Sequence, residues 1–106
     1  MIYHHTAVHT NDVASSVKWY VDNLEAKILK QDNDWAMVMI GGMTLALTLP
    51  DKHPPHIAFE VDSLDKFPCY RNEIKMHRDG SYYYYQEAPD GTVIEWLYWE
   101  PALRKR

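Results

Sequence analysis

The sequence reads Thr-Val-Ile-Glu-Trp-Leu-Tyr-Trp from Thr92 to Trp99, directly after the turn Pro89-Asp90-Gly91. Aromatic and β-branched residues favour a strand, and proline, aspartate and glycine favour the turn before it. Glu95 interrupts this apolar run, and an inward-facing carboxylate needs a partner because unpaired burial of a charge is costly. The alternative, a Glu95 that faces solvent on a one-sided sheet, is equally compatible with alternation alone.

Alternation along this strand separates two faces. If Glu95 points into a cavity, Val93 and Leu97 share its side of the sheet, because side chains of a strand alternate with a period of two. The other side, towards the helices, then receives Ile94, Trp96 and Tyr98. The burial of Glu95 would therefore fix the orientation of the whole strand.

The same order of elements is predicted twice along the chain. A strand over 2–10 precedes a helix capped by Asp12, with apolar residues at three- and four-residue steps, and strands follow over 26–31, 35–40 and 43–49. The second half is predicted to contain a strand over 56–61, a short helix over 64–73 that Pro68 interrupts, and strands over 74–78, 81–87 and 92–99. The sequence thus predicts two βαβββ modules, 1–49 and 56–100, a connector over 50–55 and a tail over 101–106.

A weak internal repeat supports the division into two modules. His5-Thr6-Ala7 opens the first module much as His56-Ile57-Ala58 opens the second. Ala46 and Glu95 each lie four residues after a turn glycine, so we expect them at equivalent places in the two last strands.

Composition limits the classes of function. The chain has 106 residues, 46 % of them apolar, and a net charge of −4, which favours a single globular domain and offers no basic field for nucleic acid. No run approaches the length that spans a bilayer, and a single cysteine, Cys69, cannot form an internal disulfide. We expect a cytoplasmic protein that has no nucleic-acid or membrane partner.

Three side chains are candidate metal ligands. Imidazoles from His5 and His56 and the carboxylate of Glu95 suit divalent Mn, Fe, Co, Ni or Zn, and three protein ligands leave positions open for water and substrate. Taken singly, a histidine at a strand start is more often a surface or hydrogen-bonded residue than a ligand. Strands that direct all three to one concave face would bring them together.

Four sequence blocks, in order and covering nearly the whole chain, carry a resemblance to a known family. They are His5-Thr6-Ala7 with Asp12, Val17-Lys18-Trp19-Tyr20 with Leu24, His56-Ile57-Ala58-Phe59 with Val61, and Pro89-Asp90-Gly91 with Ile94-Glu95. Together they resemble the vicinal-oxygen-chelate superfamily, which includes glyoxalases, bleomycin-resistance proteins and extradiol dioxygenases. The resemblance implies an α+β fold in which the two modules form a curved, cup-like mixed sheet with helices outside.

The resemblance also implies roles for particular residues. His5, His56 and Glu95 stand where metal-binding members carry ligands, while Ala46 stands where some glyoxalase-like members carry a fourth. The chain is therefore closest to the three-ligand pattern of fosfomycin-resistance thiol transferases and extradiol dioxygenases.

Further candidates surround this trio. Lys75, Tyr85 and Arg104 resemble anion-contacting positions of the fosfomycin enzymes, although Ala7 and Thr44 depart from their pattern, and ordinary surface charge is the alternative for Lys75 and Arg104. We predict catalytic roles for Glu95 and Tyr85 and substrate contacts for Lys75, Arg104 and Trp35. Two phenols of the run Tyr82-Tyr83-Tyr84-Tyr85 should line the cavity, and His9 and His77 are candidate acid–base residues.

Two functions remain open from the sequence. One is a metal-dependent glyoxalase-like enzyme that acts on a small oxygen-rich or thiol-conjugated metabolite, as a lyase, isomerase, transferase or dioxygenase. The alternative is a metal-free small-molecule binding protein of the bleomycin-resistance kind. We also expect a homodimer, and the short connector over 50–55 favours a site shared between its two chains.

Overall fold

The computed structural model describes residues 1–101, which form an α+β fold with eight β-strands, in parallel and antiparallel pairs, and one α-helix. The elements in chain order are β1 (Ile2–His9), α1 (Val13–Leu24), β2 (Lys27–Gln31), β3 (Trp35–Ile40), β4 (Met43–Thr48), β5 (His56–Glu60), β6 (Lys75–Met76), β7 (Tyr82–Glu87) and β8 (Val93–Tyr98). Residue contacts define two compact units. The N-terminal unit is His5–His56, and the C-terminal unit combines Met1–His4 with the described residues from Ile57 onward.

The N-terminal unit packs α1 against one face of its strands. Strand β4 lies between β1, to which it is parallel, and β3, to which it is antiparallel, and β2 pairs with the outer edge of β3. The apolar stripe of α1 buries Val13 and Val17 against strand residues that include Val38, Leu45 and Leu47. Burial of this face stabilises the helix far more than its intrinsic propensity does.

The opposite face of the N-terminal unit carries a different set of side chains. Register places Ala46 between Ala7 and Met37, and Thr48 between His9 and Trp35. Because side chains alternate along each strand, these residues point away from the helix-packed side chains Leu45 and Leu47.

The C-terminal unit is built around β8. Strand β5 runs parallel to one edge of β8, and β7 runs antiparallel to the other, so that Glu95 lies between Ala58 and Tyr85. The two-residue strand β6 pairs with β7, with Lys75 opposite Tyr83.

The predicted interruption of the helix over 64–73 at Pro68 is confirmed, but the predicted α-helix itself is wrong. The segment instead forms two single 3₁₀ turns, Leu64–Lys66 and Arg71–Glu73, on either side of Pro68. Proline lacks an amide donor and excludes the helical conformation from the residue before it, and Phe67 is accordingly extended. The following strand is also shorter than the predicted 74–78.

Within residues 1–101, no helix has both the length and the apolar character needed to cross a membrane.

Candidate metal centre

Two buried imidazoles lie side by side in the N-terminal unit. His5 and His56 are 9 % and 7 % exposed, and their Nε2 atoms lie 3.3 Å apart. His5 is placed by β1, and His56 is the first residue of β5. The chain therefore brings together two residues that are separated by 51 positions in sequence.

A backbone carbonyl selects the tautomer of His56. The Nδ1–H group of His56 donates to the carbonyl oxygen of Pro54 at 2.6 Å. A neutral imidazole that carries its proton on Nδ1 presents a lone pair at Nε2, the atom that faces His5. The connector thus leaves His56 in the form that binds a metal ion.

The spacing of the two nitrogens fits a shared ion. Two imidazole nitrogens at about 2.0–2.1 Å from one ion, with coordination angles between octahedral and tetrahedral, lie roughly 2.8–3.4 Å apart. The observed 3.3 Å falls in that interval, and it also fits a hydrogen bond between two neutral imidazoles. The donor set and spacing are therefore compatible with a bound ion.

Glu95 is the buried carboxylate of the C-terminal unit. It is 2 % exposed, and its Oε2 atom accepts a hydrogen bond from Nε2 of His77 at 2.6 Å. An ionised carboxylate can only accept, so the proton of this bond lies on His77. His77 is thus a partner of the kind that we expected for an inward-facing Glu95 carboxylate.

Strand register relates Glu95 to His56. Glu95 is directly opposite Ala58, and His56 precedes Ala58 by two residues on the same strand. Because the side-chain period of a strand is two, the β5 register places His56 and Glu95 on the same face. Leu97 shares that face and is buried, whereas Trp96 on the other face lies 6.4 Å from the ring of Phe67, as the predicted alternation requires.

Comparison with known proteins shows which family the chain belongs to. The profile of the Glyoxalase/Bleomycin resistance protein/Dioxygenase superfamily matches residues 2–105. The chain belongs to this superfamily. No curated protein sequence matches it significantly.

Several solved structures share the superfamily fold with this chain. Methylmalonyl-CoA epimerase from Mycobacterium tuberculosis aligns with a TM-score of 0.73 at 17 % identity, covering 98 % of this chain and 91 % of the other. A superfamily member from Vibrio splendidus gives a TM-score of 0.67 at 13 % identity, covering 91 % and 97 %. The TM-scores show a common fold, and identities this low leave the reaction open.

In the chain described here, the side chain of Tyr85 lies on the same face of the strands as that of Glu95. It is directly opposite Glu95, and its pKa is raised by burial first and by the negative charge of Glu95 second. The phenol therefore stays protonated and can donate a hydrogen bond, which argues against a phenolate base. Register also resolves the pair of phenols that sequence left open, because Tyr83 and Tyr85 share the Glu95 face.

The other predicted substrate residues are Lys75, Trp35 and Arg104. Lys75 is exposed at the edge of the C-terminal unit, and its register with Tyr83 puts it on the Glu95 face. Trp35 is half-buried in the N-terminal unit, and the Nζ atom of Lys30 lies 5.4 Å from its ring centroid. Arg104 lies outside the described residues.

The two candidate acid–base histidines have different surroundings. His77 contacts Glu95, as described above, whereas His9 is exposed and its Nε2 atom lies 2.5 Å from the carbonyl oxygen of His53. The sequence did not predict the hydrogen bond between His77 and Glu95, because a two-residue strand has too weak a pattern to fix its register. The Asp79-Gly80 turn before the tyrosine run was its only visible signal.

A single chain is enough to pair the two imidazoles. The short connector favoured a site shared between two subunits, yet His5 lies beside His56 of its own chain. The connector is long enough to bring His56 beside His5, because Pro54 and Pro55 lead directly into β5, whose first residue is His56. For these two ligands, the geometry of one chain favours an intrachain pair over a shared site.

Proposed function

We propose that this protein is a metal-dependent glyoxalase-like enzyme, in which His5, His56 and Glu95 bind one divalent ion and a small oxygen-rich or thiol-conjugated metabolite is the substrate. The observation that carries this proposal is the buried imidazole pair with its Nε2 atoms at 3.3 Å. The three residues make up a group of buried ligands that could hold a metal ion. Two imidazoles and one carboxylate suit Mn, Fe, Co, Ni or Zn.

A bound ion with open coordination positions would polarise neighbouring oxygens of a substrate. The chain's own groups then determine orientation and proton positions. Tyr85 keeps its phenol protonated, so it donates a hydrogen bond to a substrate oxygen that gains negative charge. Lys75 contributes positive charge at the rim of the same face, where an anionic substituent of the substrate would lie.

Trp35 and the residues that share its face provide the apolar part of the binding surface. Met37 and Met39 alternate with buried core residues of β3 and are half-buried on the side of Trp35. Such side chains contact a ligand through dispersion and hydrophobic burial, which requires no fixed polar pattern. The proposal therefore assigns apolar contact with the substrate to this face of the N-terminal unit.

A bidentate oxygen ligand tests the proposal. Acetohydroxamate presents two neighbouring oxygens, and its binding can be measured by calorimetry to protein loaded with Co(II) and to protein stripped with a chelator. We expect binding only to the loaded protein, and loss of binding in Glu95→Gln. Equal binding to loaded and stripped protein would instead support the metal-free binding function.

A substrate screen then separates the reaction classes. Metal-loaded protein is assayed with small carbonyl compounds, with thiol conjugates, and with a 2-methyl-branched acyl-CoA in deuterated water, because the fold is shared with methylmalonyl-CoA epimerase. Tyr85→Phe is the comparison variant, since it removes one hydroxyl and leaves the three ligands in place. Turnover that is equal with and without metal would contradict the proposal.

A further inference from the structure

His77 donates a hydrogen bond to the buried carboxylate of Glu95, and its backbone is held on both sides. The amide of His77 donates to the carbonyl oxygen of Ser81 at 2.8 Å, and the amide of Gly80 returns a bond to the carbonyl oxygen of His77 at 3.0 Å. The carboxylate of Asp79 accepts from both the amide and the hydroxyl of Ser81, at 2.9 and 2.6 Å. These bonds therefore fix the backbone position from which the imidazole of His77 extends.

The ring of His77 is fixed as well. It stacks on Tyr83 with centroids 3.7 Å apart and an interplanar angle of 8°. Tyr83 in turn makes an edge contact with Tyr85, at 5.3 Å between centroids. A stacked ring cannot rotate without leaving its neighbour, so Nε2 stays directed at Glu95.

From this geometry we infer that His77 is a positioning residue, which orients the carboxylate of Glu95 for metal binding without being a ligand itself. The inference rests on the proposed function. A hydrogen bond at 2.6 Å to Oε2 restricts rotation of the carboxylate about its last bond. A ligand already held in one orientation loses less freedom on binding the ion, and partners of this kind change metal affinity by about 10–100-fold.

Two substitutions separate the hydrogen bond from the stacking. His77→Phe keeps a flat ring on Tyr83 and removes the donor, whereas His77→Gln keeps an amide donor at a similar reach and removes the aromatic ring. The probe is Co(II) alone, added to the chelator-stripped full chain and followed by its visible absorption and by calorimetry. We expect the dissociation constant to rise about 10–100-fold in His77→Phe and to remain within about threefold of the parent in His77→Gln.

The absorption spectrum adds a readout that general loosening of the fold would not give. In His77→Phe the bands of bound Co(II) should change shape, because the carboxylate adopts a different orientation, while thermal unfolding of the stripped protein shows that the chain is still folded. If His77→Phe does not fold, His77→Asn replaces it, since its amide is one methylene shorter than that of His77→Gln and does not reach Glu95.

Two results would overturn the inference. They are an affinity of His77→Phe, or of its replacement His77→Asn, within twofold of the parent, and a loss in His77→Gln equal to the loss in that variant. Failure of the parent to bind Co(II) or any of divalent Mn, Fe, Ni and Zn would instead refute the proposed function, and the inference with it. The two failures are therefore distinguishable by the parent titration alone.

Discussion

The carbonyl oxygen of Pro54 determines the metal-binding form of His56. By accepting the Nδ1–H bond at 2.6 Å it leaves the lone pair on Nε2, the atom that faces His5. At the scale of single residues, the site depends on which atom of each imidazole carries the proton.

Tyr85 gives a prediction at the same scale. Because its pKa is raised by burial and by Glu95, the phenol is protonated at neutral pH and acts as a donor. Tyr85→Phe should lower turnover about 100-fold, as expected when one donor to a developing charge is removed, with metal content unchanged. Steady-state rates and metal analysis of the same preparation check this, and loss of metal in Tyr85→Phe would refute the donor role.

The helix α1 illustrates the element scale, since one side chain determines where it begins. The carboxylate of Asp12 accepts the amide of Ser15 at 3.0 Å, and this bond lowers the pKa of Asp12. Asp12→Ala should lower the melting temperature by a few degrees at neutral pH, whereas Asp12→Asn, which also caps, should not.

The pH dependence of this cap has a definite sign. Because the folded pKa is lowered, the stabilisation is present above the unfolded value of about 3.9 and is lost as the pH falls through the folded value. On acidification the parent should therefore fall below Asp12→Asn in melting temperature and approach Asp12→Ala. A difference that does not change with pH would contradict the assigned bond.

The segment over 64–73 gives a second prediction for an element. Phe67 is 6 % exposed and lies beside Trp96, so it anchors the two 3₁₀ turns that replace the expected helix. Phe67→Ala should cost about 3 kcal/mol in unfolding free energy, whereas Tyr70→Ala, at 82 % exposure in the same segment, should change it by less than about 0.5 kcal/mol. Urea titrations of both variants test this, and equal effects would show that Phe67 is not the anchor.

Much of the architecture was predictable because its signals are local. Alternation fixed the long strands, and the spacing of Val13 and Val17 fixed α1 together with its cap. The segment around Pro68 was not predictable, because apolar spacing favoured a helix that the proline interrupts. The partner of Glu95 was also not predictable, because His77 reaches it through a short edge strand and a turn.

At the scale of the whole molecule, the open question is the assembly of chains. We expect a homodimer, as the sequence already suggested, and sedimentation velocity at micromolar concentration tests this. The pairing of His5 with His56 in one chain adds a sharper expectation. A mixture of His5→Ala and His56→Ala chains should regain no metal binding, because neither chain holds both imidazoles.

Recovery of about a quarter of the parental metal content in that mixture, the value for a shared site with statistical pairing of the two chains, would contradict the intrachain pair. A mixture of His56→Ala with parent chains is the matched control, since its metal content should equal the fraction of parent. Sedimentation therefore tests whether the protein is a dimer, and the mixing experiment tests whether both imidazoles come from one chain. A dimer can exist without a shared site.

The central claim is that His5, His56 and Glu95 bind one divalent ion. The most direct test is calorimetric titration of chelator-stripped protein with Mn, Fe, Co, Ni and Zn in the divalent state, beside His56→Ala and Glu95→Gln. The account predicts one ion per chain for at least one of these metals, weaker binding in acid because the ligands must lose protons, and at least 100-fold weaker binding in both variants. Absence of stoichiometric uptake of all five metals by the folded parent would contradict it.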